Sequence, residues 1–396
     1  MAINKRTTLL LGCGACGGKQ VDEIMNLDSR YNCMYFNTSA KDVRPRKYAI
    51  MDKNVFCVPF MDGSGRDRYV TLNAIGENRS AILDMVTSFE NVENIFLLGS
   101  MGGGTGGASV VPISVALVKL FKSKGKDISV NIIFTKPKKS DSKKILENAI
   151  ACWHEIKKMY DESNPFKPNS IMFVDNDKYD TEEDINKLLA SDLDDAISLT
   201  AGEGENVIDS GDLGKVMTAV GNMIILRLEE DLEEDVELSL RAGLENSIYS
   251  NYCDEEECKY LCTSLKTGMV EYDNGDIEEE ILNNYNIDDI EKSYFVVDDV
   301  YRGTNIRDNI VIISGQGLPE AMIVELDDAL KVKEQEIKKR LERKKEKKDA
   351  SGIRKRVERD KPVEREVKPR RRVSTGSSSD FDDLFKDGLL DSFINR

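Results

Sequence analysis

Two glycine-rich turns, each set between an apolar run and a helix-forming segment, constrain this chain more than any other feature. The first, Gly12-Cys13-Gly14-Ala15-Cys16-Gly17-Gly18, follows the apolar run 7–11 and precedes the helix-like 19–27. The second, Gly99-Ser100-Met101-Gly102-Gly103-Gly104-Thr105-Gly106-Gly107, follows the run 95–98 and precedes the helical segment 110–122. Glycines where a strand meets a helix let backbone N–H groups face an anion at the helix's positive end. Two such turns on one sheet edge can embrace a polyphosphate from both sides. Further strands are predicted at 33–36, 55–58, 128–134 and 170–174, and helices at 81–89 and 143–160. This alternation implies an α/β fold with a parallel sheet covered on both faces.

Residues 182–199 read as a long amphipathic helix and 202–213 as a polar loop. A second, smaller mixed α/β region opens with a helix at 215 and holds predicted strands at 259–264, 294–300 and 309–314. The expected organisation is a parallel-sheet domain over 1–181, a central helix and its loop over 182–214, and a second domain over 215–319. A long C-terminal helix over 320–349 and a disordered basic tail over 350–396 follow. The tail closes on Phe381, Leu384, Phe385, Leu389, Leu390 and Phe393 among acids, the pattern of a short docking peptide. The net charge of −16 is unevenly spread: residues 331–372 carry 20 basic and 9 acidic side chains, a balance of +11 that leaves −27 on the rest. The acidic body should avoid nucleic acid, whereas the arm suits phosphates, an acidic partner or a sister subunit.

Several chemistries are excluded by residue type. No stretch approaches the roughly 18 apolar residues of a membrane-spanning helix, and residues 1–8 do not form a secretory leader, so the expected location is cytoplasmic. The cysteines at 13, 16, 33, 57, 152, 253, 258 and 262 are expected as reduced thiols. Cys13-x-x-Cys16 has redox or zinc spacing but sits in a turn whose glycines have another use. The single histidine, His154, beside Trp153, is expected to pack, and its solitude argues against a histidine base. Gly12, Gly14 and Gly17 have the GxGxxG spacing of a dinucleotide site, yet Asn37 stands where an acid would hold the ribose. An NAD-binding module with a basic scaffold tail is therefore the alternative from a different class. A P-loop is excluded because Cys13 replaces its first glycine and Gln20 its metal-binding hydroxyl.

The motifs, in this order, resemble the tubulin/FtsZ superfamily of GTPases. Met101-Gly-Gly-Gly-Thr-Gly106 matches its signature, and the agreement runs through most of residues 5–320. The resemblance implies GTP and GDP as ligands with Mg2+. It places Gly12, Cys13, Gly14, Gly17, Gly18, Lys19 and Gln20 in the first phosphate loop, Asn37 and Ser39 in the next nucleotide loop, 37–40, and Gly63 and Ser64 in a loop near the terminal phosphate, 63–67. Gly102, Gly103, Gly104, Thr105 and Gly106 form the signature turn. Thr135 and Pro137 belong to the following loop, Asp141 takes the place of a ribose-contacting Glu, Asn176 lies near base and ribose, and Asn186 is placed to bond guanine. No side chain is assigned to the metal.

The segment 206–212 resembles the family's synergy loop, whose Asn206, Asp209 and Asp212 would complete the neighbouring subunit's site and position the attacking water. From the residues alone, Asp209 and Asp212 read as a capping or turn pair. The resemblance thus implies head-to-tail dynamic filaments with hydrolysis at the subunit contact. The charged helix and basic arm look like the plasmid- and phage-borne TubZ branch, implying DNA segregation through a DNA-bound, TubR-like adaptor on the tail, with DNA contacted mainly indirectly and no membrane. An FtsZ-like cytokinetic filament is the alternative.

Overall fold

The computed structural model describes residues 3–203, 208–228, 243–250, 258–266, 292–298, 300, 301 and 309–350. In chain order the elements are β1 (Thr8–Cys13), α1 (Gly14–Leu27), β2 (Asn32–Asn37), α2 (Ala40–Val43), β3 (Val55–Cys57), α3 (Arg68–Thr87), β4 (Asn94–Ser100) and α4 (Gly106–Ser123). Then come β5 (Ser129–Lys136), α5 (Lys143–Tyr160), β6 (Ser170–Asp175), α6 (Glu182–Ser198), β7 (Gly202–Glu203), α7 (Ser210–Met217) and β8 (Gly221–Leu228). The last are β9 (Tyr260–Lys266), β10 (Lys292–Asp298), β11 (Val300–Tyr301), β12 (Asn309–Gln316) and α8 (Ala321–Ala350).

Ten strands make one mixed, mostly parallel sheet in the order β10-β9-β12-β8-β6-β5-β4-β1-β2-β3. β1, β5 and β6 bury every residue, as a sheet covered on both faces requires. α1 can lie close to β4 because Gly17 has no side chain: a Cβ there would overlap the Leu98 carbonyl and sit 2.8 Å from its carbon. The strands of the second region, β8, β9, β10 and β12, continue the same sheet. The seam is narrow, since β6 pairs with β8 only at Ser170↔Gly221 and Ile171↔Asn222.

α6 runs through the interior and carries three buried carboxylates, one held beside the starts of β1 and β2 and two held by β8. Asp194 pairs with Lys5 at 2.7 Å and accepts from the Tyr31 hydroxyl at 2.9 Å. Asp192 and Asp195 both pair with Arg227 of β8 at 2.7 Å, and Tyr249 donates to Asp192 at 2.9 Å. Burial pushes the Asp192 carboxyl up to about 6 against the opposing pull of Arg227 and Tyr249, so the pair is still ionised at neutral pH.

The structure differs from the sequence reading in four places. The helix expected at 81–89 begins at Arg68, where Asp67 accepts from the Tyr69 amide at 2.9 Å and caps it. The supposed loop 202–213 contains the first turn of α7, capped by Asp209. α4, with a mean hydropathy of 1.3 over 18 residues, is long and apolar enough to cross a membrane, but 78% of it is buried inside the protein, so it is a core helix. His154 is exposed, and its neighbours Trp153 and Glu155 face inward instead.

The chain divides into two units, Met1–Leu330 and Lys331–Arg396. In the first, the start of α8 buries Met322 and Leu326, and its Glu325 meets Lys136 at 2.8 Å. In the second, residues 331–350 are helical. The tether and the terminal docking peptide lie outside the described residues.

Candidate nucleotide site

A cavity of about 610 Å³ opens where the parallel strands end, a volume ordinary for a small-molecule site. Its walls include residues at or just after strand ends: Cys13 and Gly14 for β1, Thr38 for β2, Ser100 and Gly102 to Gly106 for β4, Pro137 for β5 and Asn176 for β6. This is the crevice in which open α/β sheets hold ligands. Its floor is made by the first turns of α1 and α4, and neither helix has a side-chain cap. The amides at these helix starts have no intrahelical acceptor and face the cavity with the positive end of each dipole. A Cβ on Gly14, whose φ is +74°, would lie 3.0 Å from the Gly106 nitrogen, so the two helix starts meet.

A third loop, residues 63–67, closes one end. The Gly63 amide donates to Thr38 O at 2.8 Å, and the Thr38 and Thr105 hydroxyls lie 2.8 Å apart. A Cβ on Gly104 would fall 2.6 Å from Arg66 Cα, so only glycine lets the loop seat against the signature turn. Asn148 of α5 ties them together, donating from Nδ2 to Arg66 O at 3.1 Å and to Gly102 O at 3.2 Å. Behind them Arg68 donates to Gly107 O and, at 2.5 Å, to Glu155.

Of the residues expected to hold nucleotide, Cys13, Gly14, Lys19, Gly63, Ser64, Gly102, Gly103, Gly104, Thr105, Gly106, Pro137, Asp141 and Asn176 line this cavity. Gly12, Gly17, Gly18, Gln20, Asn37, Ser39 and Thr135 stand behind the wall. Gln20 is fully buried and donates to Thr135 Oγ1 at 2.8 Å; Asn37 Oδ1 accepts from the Ser39 amide at 3.1 Å. Asn186 lines an adjoining polar groove of about 400 Å³ that shares Lys19 and Glu182 with the cavity. The Lys19–Glu182 ion pair between them, 3.3 Å long and exposed on both sides, is worth under about 1 kcal/mol and opens cheaply. Burial pushes the Cys13 thiol up to about 12 against a bond from Ser109, which leaves it unreactive at neutral pH.

Asp209 and Asp212 lie elsewhere. The Ile3 amide donates to Ser210 O at 3.1 Å, and Asn169, just before β6, donates to Thr218 O at 2.9 Å. α7 therefore sits at the strands' amino-terminal edge, opposite the cavity. Asp209 Oδ1 accepts from the Gly211 and Asp212 amides at 2.7 and 2.8 Å, and Asp212 pairs with Lys215 at 2.5 Å. Asn206 lies outside the described residues. Sequence reasoning named Thr38 and Arg66 only as members of the loops 37–40 and 63–67, and missed Asp42, Ile145 and Glu182 in the cavity wall.

The sequence profile of the tubulin-like family matches residues 70–283. The tubulin-like protein TubZ of Clostridium botulinum C phage is 27% identical over 249 residues, 63% of this chain and 66% of that protein. The solved structure of the tail-truncated Clostridium botulinum phage c-st TubZ superposes with a TM-score of 0.71 at 24% identity, covering 84% of this chain and 99% of that one. A GTPγS-form protofilament of Bacillus thuringiensis serovar israelensis TubZ gives 0.67 at 17% identity, over 88% and 94%. The fold is thus tubulin-like, and because the profile spans more than half of the residues, the chain belongs to the tubulin-like family.

Proposed function

We propose that this protein is a GTPase that assembles head to tail into dynamic filaments, with GTP cleaved at the contact between successive copies. One observation carries the reading: the cavity and the Asp209–Asp212 pair occupy opposite edges of one sheet. β1, six residues long, spans roughly 20 Å, so an acid pair at one edge cannot serve the cavity at the other edge of the same copy. It can serve the next copy in a heterologous stack. The uncapped starts of α1 and α4 bind the phosphates, Asn176 and Asn186 face ribose and base, and the incoming Asp209 and Asp212 orient and polarise the attacking water.

Of the carboxylates in the cavity wall, Glu182 pairs with Lys19 and Asp141 accepts from the Lys138 amide, which leaves Asp42 as the side chain suited to a metal otherwise held by phosphates and water. Mg2+, when bound there, offsets charge on the phosphate oxygens. Loss of the terminal phosphate removes charge-assisted bonds at the junction and weakens it. The basic arm at 331–372 and the likeness to phage TubZ support a cytoplasmic role in moving plasmid or phage DNA, through a DNA-bound adaptor on the tail. The test is phosphate release and sedimentation with GTP across a protein dilution series. Turnover per molecule should collapse below the assembly threshold; constant turnover through it overturns the shared site.

A further inference from the structure

Resting on that function, we propose that Glu325 of α8 is a positioning residue of the nucleotide site, holding Pro137 and Asn176 in the cavity wall through the ends of β5 and β6. Pro137 and Asn176 line the cavity, whereas Glu325, Lys136 and Lys139 are outside its lining. In the chain each wall residue is flanked by charge: Pro137 follows Lys136 and precedes Lys138 and Lys139, and Asn176 lies between Asp175 and Asp177. The flanking groups interlock. Lys136 Nζ donates to Asp175 Oδ2 at 2.8 Å, the Lys139 amide donates to the Asp177 carboxylate at 3.1 Å, and the Asn176 amide donates to Lys136 O at 3.4 Å. The two segments that carry the wall residues are thus fastened to one another, and neither can shift without the other.

α8 adds a third fastening. Glu325 Oε2 accepts from Lys136 Nζ at 2.8 Å and meets Lys139 Nζ at 3.1 Å, so a single carboxylate oxygen is tied to the chain on either side of Pro137. Charge balance does not account for this arrangement, because the buried Lys136 already has Asp175 as its counter-ion. What Glu325 supplies is geometry: it ties the flexible, half-exposed Lys139 side chain to the fixed strand end and limits how far the intervening residues can move. Glu320, just before α8, offers the contrast. It pairs with Lys157 of α5 at 2.8 Å, fastening the same end of the helix where neither partner adjoins a wall residue in the chain. Loss of either glutamate loosens the helix start; only loss of Glu325 loosens the wall.

The experiment measures affinity of the full-length protein for GDP and for GTPγS, below the assembly threshold, in wild type, Glu325→Gln, Lys139→Met, the double variant and Glu320→Gln. Glu325→Gln should weaken both nucleotides equally, by about 3- to 10-fold, because the ribose and base that the proposed function sets at Asn176 are common to the two. Lys139→Met should show a similar loss, and the double variant no more than either single one, since both break the same clamp. Glu320→Gln should bind as wild type does. Above the threshold, the Glu325→Gln defect should appear in KM for GTP rather than in kcat. An unchanged affinity for Glu325→Gln, an equal loss for Glu320→Gln, additive losses in the double variant, or a defect confined to kcat would overturn the assignment. A wild-type protein that binds neither nucleotide would overturn the proposed function itself, and this inference with it.

Discussion

An Asp212→Ala copy and a Gly104→Val copy, each inactive alone, are expected to restore hydrolysis to one another when mixed. Asp212 sits at the amino-terminal edge of the sheet and the cavity at the carboxyl edge, separated by the length of β1, roughly 20 Å. Asp212→Ala removes the group proposed to orient the attacking water, which should cost on the order of 10²- to 10⁴-fold in turnover, while its own cavity stays intact. Gly104→Val places a Cβ 2.6 Å from Arg66 Cα, so loop 63–67 cannot seat, but its acid pair is untouched. In a random equimolar head-to-tail stack there are four kinds of junction, and one pairs an intact cavity with an intact acid pair. About one quarter of the wild-type rate should therefore return if both copies enter filaments equally. Phosphate release well above the assembly threshold reads this out, with the double variant mixed into either single variant as the control. A mixture no faster than the sum of its parts would refute a site divided between copies.

Four further outcomes are expected. Glu155→Gln leaves the Arg68 guanidinium buried without its counter-charge and should cost about 3–5 kcal/mol in urea unfolding, with Arg68→Met/Glu155→Leu recovering much of it. Gly17→Ala drives a methyl into the Leu98 backbone and should destabilise by about 1–3 kcal/mol or more, seen as a lower denaturant midpoint. Burial raises the Glu325 carboxyl, but Lys136 and Lys139 outweigh it and hold the carboxyl below the usual range. The stability gap between wild type and Glu325→Gln should thus be full at neutral pH and close as pH falls below about 4. Deleting 351–396 should leave GTP turnover and sedimentation intact while abolishing recruitment of DNA-bound adaptor; retained recruitment in a pull-down would remove the tail from that role.

The parallel half of the fold was legible because its strands are buried on both faces and read as unbroken apolar runs. The first half of α3 was not, since within 68–80 only Arg68, Thr71, Ala74 and Ile75 are buried, too sparse an apolar pattern to register. α7 was obscured by Gly211 and Gly214 inside eight residues. His154 was misread because adjacency to a buried tryptophan says nothing about face: one residue on a helix turns by about 100°. In the site, the glycine turns announce themselves by composition. Arg66, Asn148 and Glu182 do not, because what they do arises from contacts with residues 38 or more positions away, such as Gly104 and Gly102.

The three carboxylates of α6 set where this interior helix sits along its own axis. Asp194 is held on the side of β1 and β2, and Asp192 and Asp195 on the side of β8, while only two residue pairs stitch the sheet across that line. Sliding the helix by one turn, about 5.4 Å, would strand all three charges from their partners at several kcal/mol apiece. The three pairs therefore fix the axial register of α6 between its two flanks.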